Sequence, residues 1–92
     1  MTVKFGKQTV HALLDKDSRG NYIQVSSIDD KMWSLDIRQM FTTEDGEIKP
    51  TTKGIRANEE LVVDLLVECM KALPEDLFDE VMERIDNENA EG

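Results

Sequence analysis

The sequence predicts an α+β fold, in which a curved antiparallel sheet of about four strands is followed by a C-terminal helix and a short second helix. Two observations support this prediction. Residues 22–41 alternate between apolar and polar side chains, as strands with one buried face do. After residue 58 the apolar residues recur at intervals of three and four, which is the spacing of one helix face. The whole chain is expected to form one domain, residues 1–92.

The sheet is predicted over residues 3–56, with short turns between antiparallel strands. Residues 22–28 alternate, and residues 31–41 alternate again. The apolar face of this second strand consists of Trp33, Leu35 and Ile37. A chain reversal is predicted at Gly46, because glycine within a polar, acidic segment is typical of a tight turn.

The first helix is predicted over residues 58–73, with Asn58 as its N-cap and acidic residues in the first turn, where the helix dipole favours them. A single chain of 92 residues buries too little surface for high stability. The apolar stripe of this helix is wide enough to meet a second subunit. We therefore expect a homodimer, and its predicted interface residues are Leu61, Leu65, Leu66, Cys69 and Met70.

Pro74 ends the first helix and can open the next. The second helix is predicted over residues 74–88, and residues 89–92 are predicted to be a disordered tail. Seven acidic residues and one basic residue, Arg84, lie in this helix. It could enlarge the dimer core, keep a negatively charged ligand away from the helical side, or recruit a basic partner. All three interpretations remain open at this point.

The net charge of −9 is distributed unevenly. Residues 1–56 contain nine basic and eight acidic side chains, giving +1, whereas residues 57–92 contain two basic and twelve acidic ones, giving −10. Electrostatic potential decays over roughly 8–10 Å in physiological salt. A near-neutral sheet can therefore carry a basic surface although the whole chain is acidic.

The composition argues against several functional classes. One cysteine cannot form an internal disulfide, and with one histidine there is no metal-ligand pattern. Neither His11 nor Cys69 has the neighbours of a catalytic residue, and no Gly-rich phosphate loop is present. We predict no enzyme, no catalytic residue, no metal and no cofactor. No stretch approaches the ~20 apolar residues of a membrane helix, so no membrane partner is expected.

The most specific pattern is D-I-R-x-x-F followed by G-E-I-K-P-x-x-K-G-I, within residues 36–55. Cations beside an aromatic ring suit single-stranded nucleic acid, because cations track the backbone while rings stack on unpaired bases. The pattern closely resembles the core of the eukaryotic transcriptional coactivator positive cofactor 4, whose family has bacterial and viral relatives. The resemblance covers about residues 22–73, and the chain looks most like a compact bacterial or viral member.

The resemblance implies a fold in which two subunits pair through the helical region and two open sheets form one surface for single-stranded DNA. It assigns the DNA contacts to five residues at matching positions: Lys31, Arg38, Phe41, Lys49 and Lys53. The family usually has tryptophan at the position of Phe41. Positions that are often basic in relatives hold other residues here, namely Ser26, Ile28, Asp29 and Thr52.

Two of these residues have an alternative interpretation. Arg38 lies opposite the apolar face of its strand and is expected on the open surface, but it could instead pair with Asp36 or a glutamate. Simple alternation places Phe41 with Trp33 in the core. Stacking beside Arg38 requires a bulge or a strong twist between the two residues, and we favour stacking.

The predicted function is binding of single-stranded DNA with little sequence specificity. The protein would hold melted DNA in transcription, or in DNA replication or recombination, alongside proteins of those processes. The expected location is the cytoplasm of a bacterial or phage-infected cell, with the nucleus as the alternative. The competing function is an acidic protein-interaction module on the same fold, with weak or no DNA binding.

Overall fold

The computed structural model describes residues 7–91, with side chains described through Glu88. Four strands precede two helices: β1 (Lys7–Asp15), β2 (Asn21–Asp29), β3 (Trp33–Thr42), β4 (Ile48–Asn58), α1 (Glu59–Ala72) and α2 (Glu75–Glu91). The α+β prediction, a four-stranded antiparallel sheet followed by two helices, is confirmed. Residues 3–6 of the predicted sheet and residue 92 of the predicted tail lie outside the described residues.

The chain divides into two compact units, Met1–Val62 and Val63–Gly92. The first unit contains the sheet and the first turn of α1. The second contains the remainder of α1 and all of the described part of α2. The predictions of a single domain and of a homodimer both stay predictions.

The sheet has the strand order β1-β2-β3-β4, and each neighbouring pair is antiparallel. The predicted reversal at Gly46 is confirmed by its positive φ of 86°, a conformation that glycine adopts at no steric cost. The Gly46 amide donates to the Thr43 carbonyl at 3.0 Å, and the Thr43 amide donates to the Glu47 carbonyl at 2.7 Å. These bonds close the β3–β4 hairpin.

The pairing of β3 with β4 contains an irregularity that bears on the site. Arg38 pairs with Gly54 and Met40 pairs with Pro50, so four steps along β4 match two along β3. The extra residues lie opposite Gln39, whose carbonyl accepts a hydrogen bond from Thr51 Oγ1 at 2.8 Å. A proline has no amide to donate, and sheets tolerate it on edge strands and at bulges such as this one.

Few side chains are buried within the single chain. Among residues 7–88 the buried apolar residues are Ile28, Met40, Ala57 and Val62, and the buried polar residues are Ser26 and Asp36. Burial on this scale stabilises a chain only weakly. A second subunit would add the burial that one chain lacks, and it stays a prediction.

Helix α1 begins as predicted. Asn58 Oδ1 accepts a hydrogen bond from the Leu61 amide at 2.9 Å, which confirms Asn58 as the N-cap. Val62 is the buried residue of α1, all of which is described. None of the five predicted dimer residues is buried. Leu61, Leu66 and Cys69 are exposed, and Leu65 and Met70 are half-buried.

Helix α2 differs from the prediction in length. It has 17 residues and continues through Glu91, three residues beyond the predicted end at residue 88. The apolar pattern that predicts this helix ends at Ile85, and the polar residues after it extend the helix without an apolar face. No helix among the described residues is long and apolar enough to cross a membrane.

Candidate nucleic-acid interface

Four of the five predicted DNA-binding residues gather where β3 pairs with β4. Phe41 lies directly opposite Lys49 across the two strands. Arg38 lies opposite Gly54, so Lys53 is the next residue along β4. Since directly opposed residues have Cβ atoms only about 5 Å apart, a ring and an ammonium group share one end of this strand pair.

Arg38 forms the ion pair that the sequence allowed as an alternative. Its Nη2 is 2.7 Å from Asp36 Oδ1, and its Nε donates to Asp36 Oδ2 at 3.4 Å. Its Nη1 donates to the Thr52 carbonyl at 3.3 Å. The Arg38 side chain is 21% exposed and that of Asp36 is 7% exposed. Arg38 is therefore mostly covered, unlike the open-surface arginine that alternation predicted.

The carboxylate of Asp36 is shared by two arginines, because Arg56 Nε lies 3.7 Å from Asp36 Oδ1. Two guanidinium groups and one carboxylate leave this cluster with a charge of +1. The hydrogen bond to Asp36 raises the pKa of Arg38, so its charge and its contribution to stability persist until strongly alkaline pH. Three of the five N–H donors of Arg38 are used, and two remain for a phosphate.

Gly54 makes this arrangement possible. A Cβ atom at position 54 would lie 2.6 Å from the Ile37 carbonyl oxygen and 2.7 Å from Arg38 Cζ. Real Cβ atoms do not approach other atoms so closely, so only glycine lets the guanidinium lie over β4 at this point. The sequence motif contains Gly54, but the contact runs between strands and the pattern within one strand does not predict it.

Phe41 stays on the pleat side that alternation predicted. The β2–β3 register runs without interruption from Asn21 opposite Phe41 to Asp29 opposite Trp33, and the extra residues lie in β4. The bulge that stacking beside Arg38 would require is therefore absent from β3 itself. The ring is nevertheless 38% exposed and does not belong to the buried set, so it can be reached from solvent.

The two lysines of β4 are exposed. Lys49 Nζ lies 3.5 Å from Glu47 Oε2, and both side chains are more than half exposed. Such a surface pair contributes about 0–1 kcal/mol, so a phosphate can replace Glu47 at little cost. Among the described residues, the ammonium group of Lys53 has no ion-pair partner.

Lys31 lies apart from the other four residues. It is in the turn before β3, and the five residue steps from Trp33 to Arg38 span about 17 Å of strand. Lys31 lines a hollow of about 570 Å³ whose charged neighbours are mostly acidic: Asp29, Asp30, Glu59 and Glu60. Four carboxylates around one ammonium group make this end of the sheet unfavourable for a phosphate.

The structure adds one cation, Lys16, which lies between β1 and β2. Lys16 Nζ donates to Gln39 Oε1 at 3.3 Å, which places it beside the irregular part of the β3–β4 pair. Two positions that are often basic in relatives are buried here, because Ser26 and Ile28 are 0% and 5% exposed. Basic side chains at those positions would not fit without rearrangement. The cations that could contact DNA therefore lie along the β3–β4 strand pair and not on β2.

These features define an α+β protein with a basic and aromatic strand pair at one end of an antiparallel sheet. The family model for Transcriptional Coactivator p15 (PC4) matches residues 18–67, which is more than half of the chain. The chain therefore belongs to the transcriptional coactivator p15 (PC4) family, as the sequence motif indicated. The family is known for binding single-stranded DNA and for transcription coactivation. No curated protein and no solved structure matches the chain.

Proposed function

We propose that the chain binds single-stranded DNA, with little sequence specificity, where β3 and β4 pair. The observation that supports this most directly is the opposition of Phe41 and Lys49 across the two strands. An aromatic residue opposite a lysine suits one unpaired nucleotide, because the ring can stack on the base while the cation contacts the phosphate. Membership in a family known for single-stranded DNA binding supports the same proposal.

Lys53 extends this basic surface along the same strand pair, and Arg38 adds a cation on the face of β3 opposite to that of Phe41. Arg38 is fixed by Asp36 and retains two N–H donors, whereas Lys53 is exposed. The held guanidinium of Arg38 and the exposed side chain of Lys53 can together contact the phosphates of a single strand, whose backbone adopts many paths. In a homodimer formed through α1, two such surfaces would be available to one strand.

The role we propose is to hold melted DNA in transcription, or in replication or recombination. Contact with the base faces requires unpaired bases, so opened duplex is the substrate. A protein that binds DNA is expected in the compartment that contains the DNA. The proposed location is therefore the cytoplasm of a bacterial or phage-infected cell, with the nucleus as the alternative.

Fluorescence anisotropy tests this proposal. A labelled single strand and a duplex of the same length are titrated with the full chain at low salt, and we expect tighter binding of the single strand. Replacing Lys49 and Lys53 by glutamine should weaken binding. Lys71→Gln is the matched control, because Lys71 lies on α1, where it pairs with Glu68 at 3.3 Å. An equal loss from the control would contradict the assignment to β4.

The competing function, an acidic interaction module, is favoured by one feature of the site. Carboxylates already neutralise part of the basic surface, since Asp36 holds Arg38 and Arg56, and Glu47 lies near Lys49. If the folded chain fails to bind a single strand even at low salt, the acidic module becomes the better description.

A further inference from the structure

Helix α2 carries an apolar stripe that the DNA-binding surface does not use. The stripe lies outside the family-matched residues 18–67. Four of its large side chains are between 38% and 47% exposed: Leu77, Phe78, Met82 and Ile85. Exposed apolar groups at helical spacing are costly to leave in water, so they indicate a surface that another molecule covers.

The stripe continues into a hollow within the second unit. Residues of α1 and α2 line this hollow, which has a volume of about 330 Å³: Leu66, Val67, Met70, Lys71, Phe78 and Met82. Leu66 and Met70 are also predicted dimer residues, so a partner in the hollow would compete with a second subunit at these two side chains. Lys71 Nζ is held by Glu68 at 3.3 Å, so the charge of the one basic lining residue is already paired. A hollow of this size and composition accepts apolar side chains.

The charges around the stripe indicate what covers it. The sequence of α2 contains eight acidic residues and one basic residue, giving −7, and Arg84 is paired with Glu80 at 3.3 Å. A second copy placed on α2 through its own α2 would bring −7 against −7. Like charges across an interface disfavour binding, whereas opposite charges speed association and select the partner.

We propose that the stripe and hollow of α2 bind a basic amphipathic helix of a partner protein. Apolar side chains on one face of that helix fill the hollow, and its lysines or arginines pair with the flanking acids. This is the helix-in-groove form of recognition, with electrostatic selection of a basic partner. The surface shares no residue with the proposed DNA-binding set Arg38, Phe41, Lys49 and Lys53, so the proposal does not rest on DNA binding.

The probe for this proposal is a labelled peptide of leucine and lysine with leucines at positions i, i+3, i+4 and i+7, titrated with the full chain. The control peptide has the same composition but alternates the two residues, so it lacks an apolar helix face. We expect saturable binding of the first peptide and at least about tenfold weaker binding of the second, because the hollow contributes only when leucines enter it together. Equal affinities would overturn the proposal.

Variants locate the surface. Phe78→Ser combined with Met82→Ser should weaken peptide binding by at least about tenfold, whereas leucine at both positions should preserve it. Asp79→Asn combined with Glu83→Gln should weaken binding about threefold. The matched charge control is Glu44→Gln combined with Asp45→Asn at the β3–β4 turn, which should leave peptide binding unchanged. If the serine variant binds the peptide normally, the proposal is wrong.

Sedimentation of the serine variant separates a partner from a second copy. A retained oligomeric state supports the proposal, whereas conversion of a dimer to a monomer assigns the stripe to a second copy and overturns it. The same variant is titrated with single-stranded DNA. If this variant loses peptide binding but binds DNA normally, the two binding sites are independent, and the peptide proposal can be judged apart from the proposed function.

Discussion

At the scale of single residues, the position of the Arg38 guanidinium depends on the absence of a side chain at Gly54. Gly54→Ala would place a methyl group 2.6 Å from the Ile37 carbonyl oxygen. We expect a loss of stability of about 1–3 kcal/mol and weaker DNA binding, because Arg38 and the local pairing must move. Thermal melting and anisotropy on the same preparation measure both effects.

Gly46→Ala is the control for that variant. Its Cβ would meet nothing within 4 Å, but its φ of 86° strains any other residue by about 1–2 kcal/mol. It should lower stability without changing DNA affinity per folded molecule. If both alanine variants weaken DNA binding equally, Gly54 has no special role in placing Arg38.

Asp36→Asn tests whether the shared carboxylate limits the basic surface. It removes the counter-ion of Arg38 and Arg56, so we expect a loss of stability of about 1–3 kcal/mol together with tighter DNA binding. Glu47→Gln removes an exposed carboxylate beside Lys49 and should leave stability unchanged. Weaker DNA binding by a folded Asp36→Asn protein would show instead that Arg38 must be held in place to bind.

Phe41→Ala should weaken single-stranded DNA binding by about 1–3 kcal/mol if the ring stacks on a base. The ring is outside the buried set, so the loss of stability should be smaller than that of a core aromatic. Phe41→Leu keeps the apolar volume without the aromatic face and should bind almost as weakly as alanine. Lost stability with unchanged affinity would identify Phe41 as a packing residue.

At the scale of elements, deletion of residues 74–92 tests what α2 does for the sheet. The described side chains Glu75–Glu88 are exposed or half-buried, and the deletion removes eight acids and one base. We expect the sheet to melt at an unchanged temperature and to bind DNA more tightly, because the net charge rises from −9 to −2. A destabilised or monomeric product would show that α2 completes a dimer core.

The helices and the central strands could be predicted from the sequence because their signals are local. Asn58 and Pro74 mark helix ends, and alternation marks β2 and β3. The features that escaped prediction arise between strands. The irregular pairing opposite Gln39 and the close approach at Gly54 depend on the register of β4, which the residue pattern of β4 does not determine. Spacing along the chain likewise did not indicate that Lys31 lies at the other end of β3 from Arg38, Lys49 and Lys53.

At the scale of the whole molecule, salt dependence measures how many cations contact phosphates. Arg38, Lys49 and Lys53 give six contacts per dimer, so the slope of log affinity against log salt should be about −4 for a single strand. Leu65→Asp places a charge on the predicted dimer face and should give a monomer with a slope of about −2. Sedimentation measures the assembly state of both proteins. A slope near zero would contradict phosphate contact altogether.

The strand order β1-β2-β3-β4 also bears on how the chain folds. Each strand pairs only with its neighbour in sequence, so every pairing step closes a short loop and the entropic cost of each step is small. The last strand ends at Asn58, before α1 begins. During synthesis the β3–β4 hairpin, with its ring and its lysines, can therefore form before the ribosome has released the acidic helices. Nascent chains could then engage nucleic acid before the opposing charge is in place.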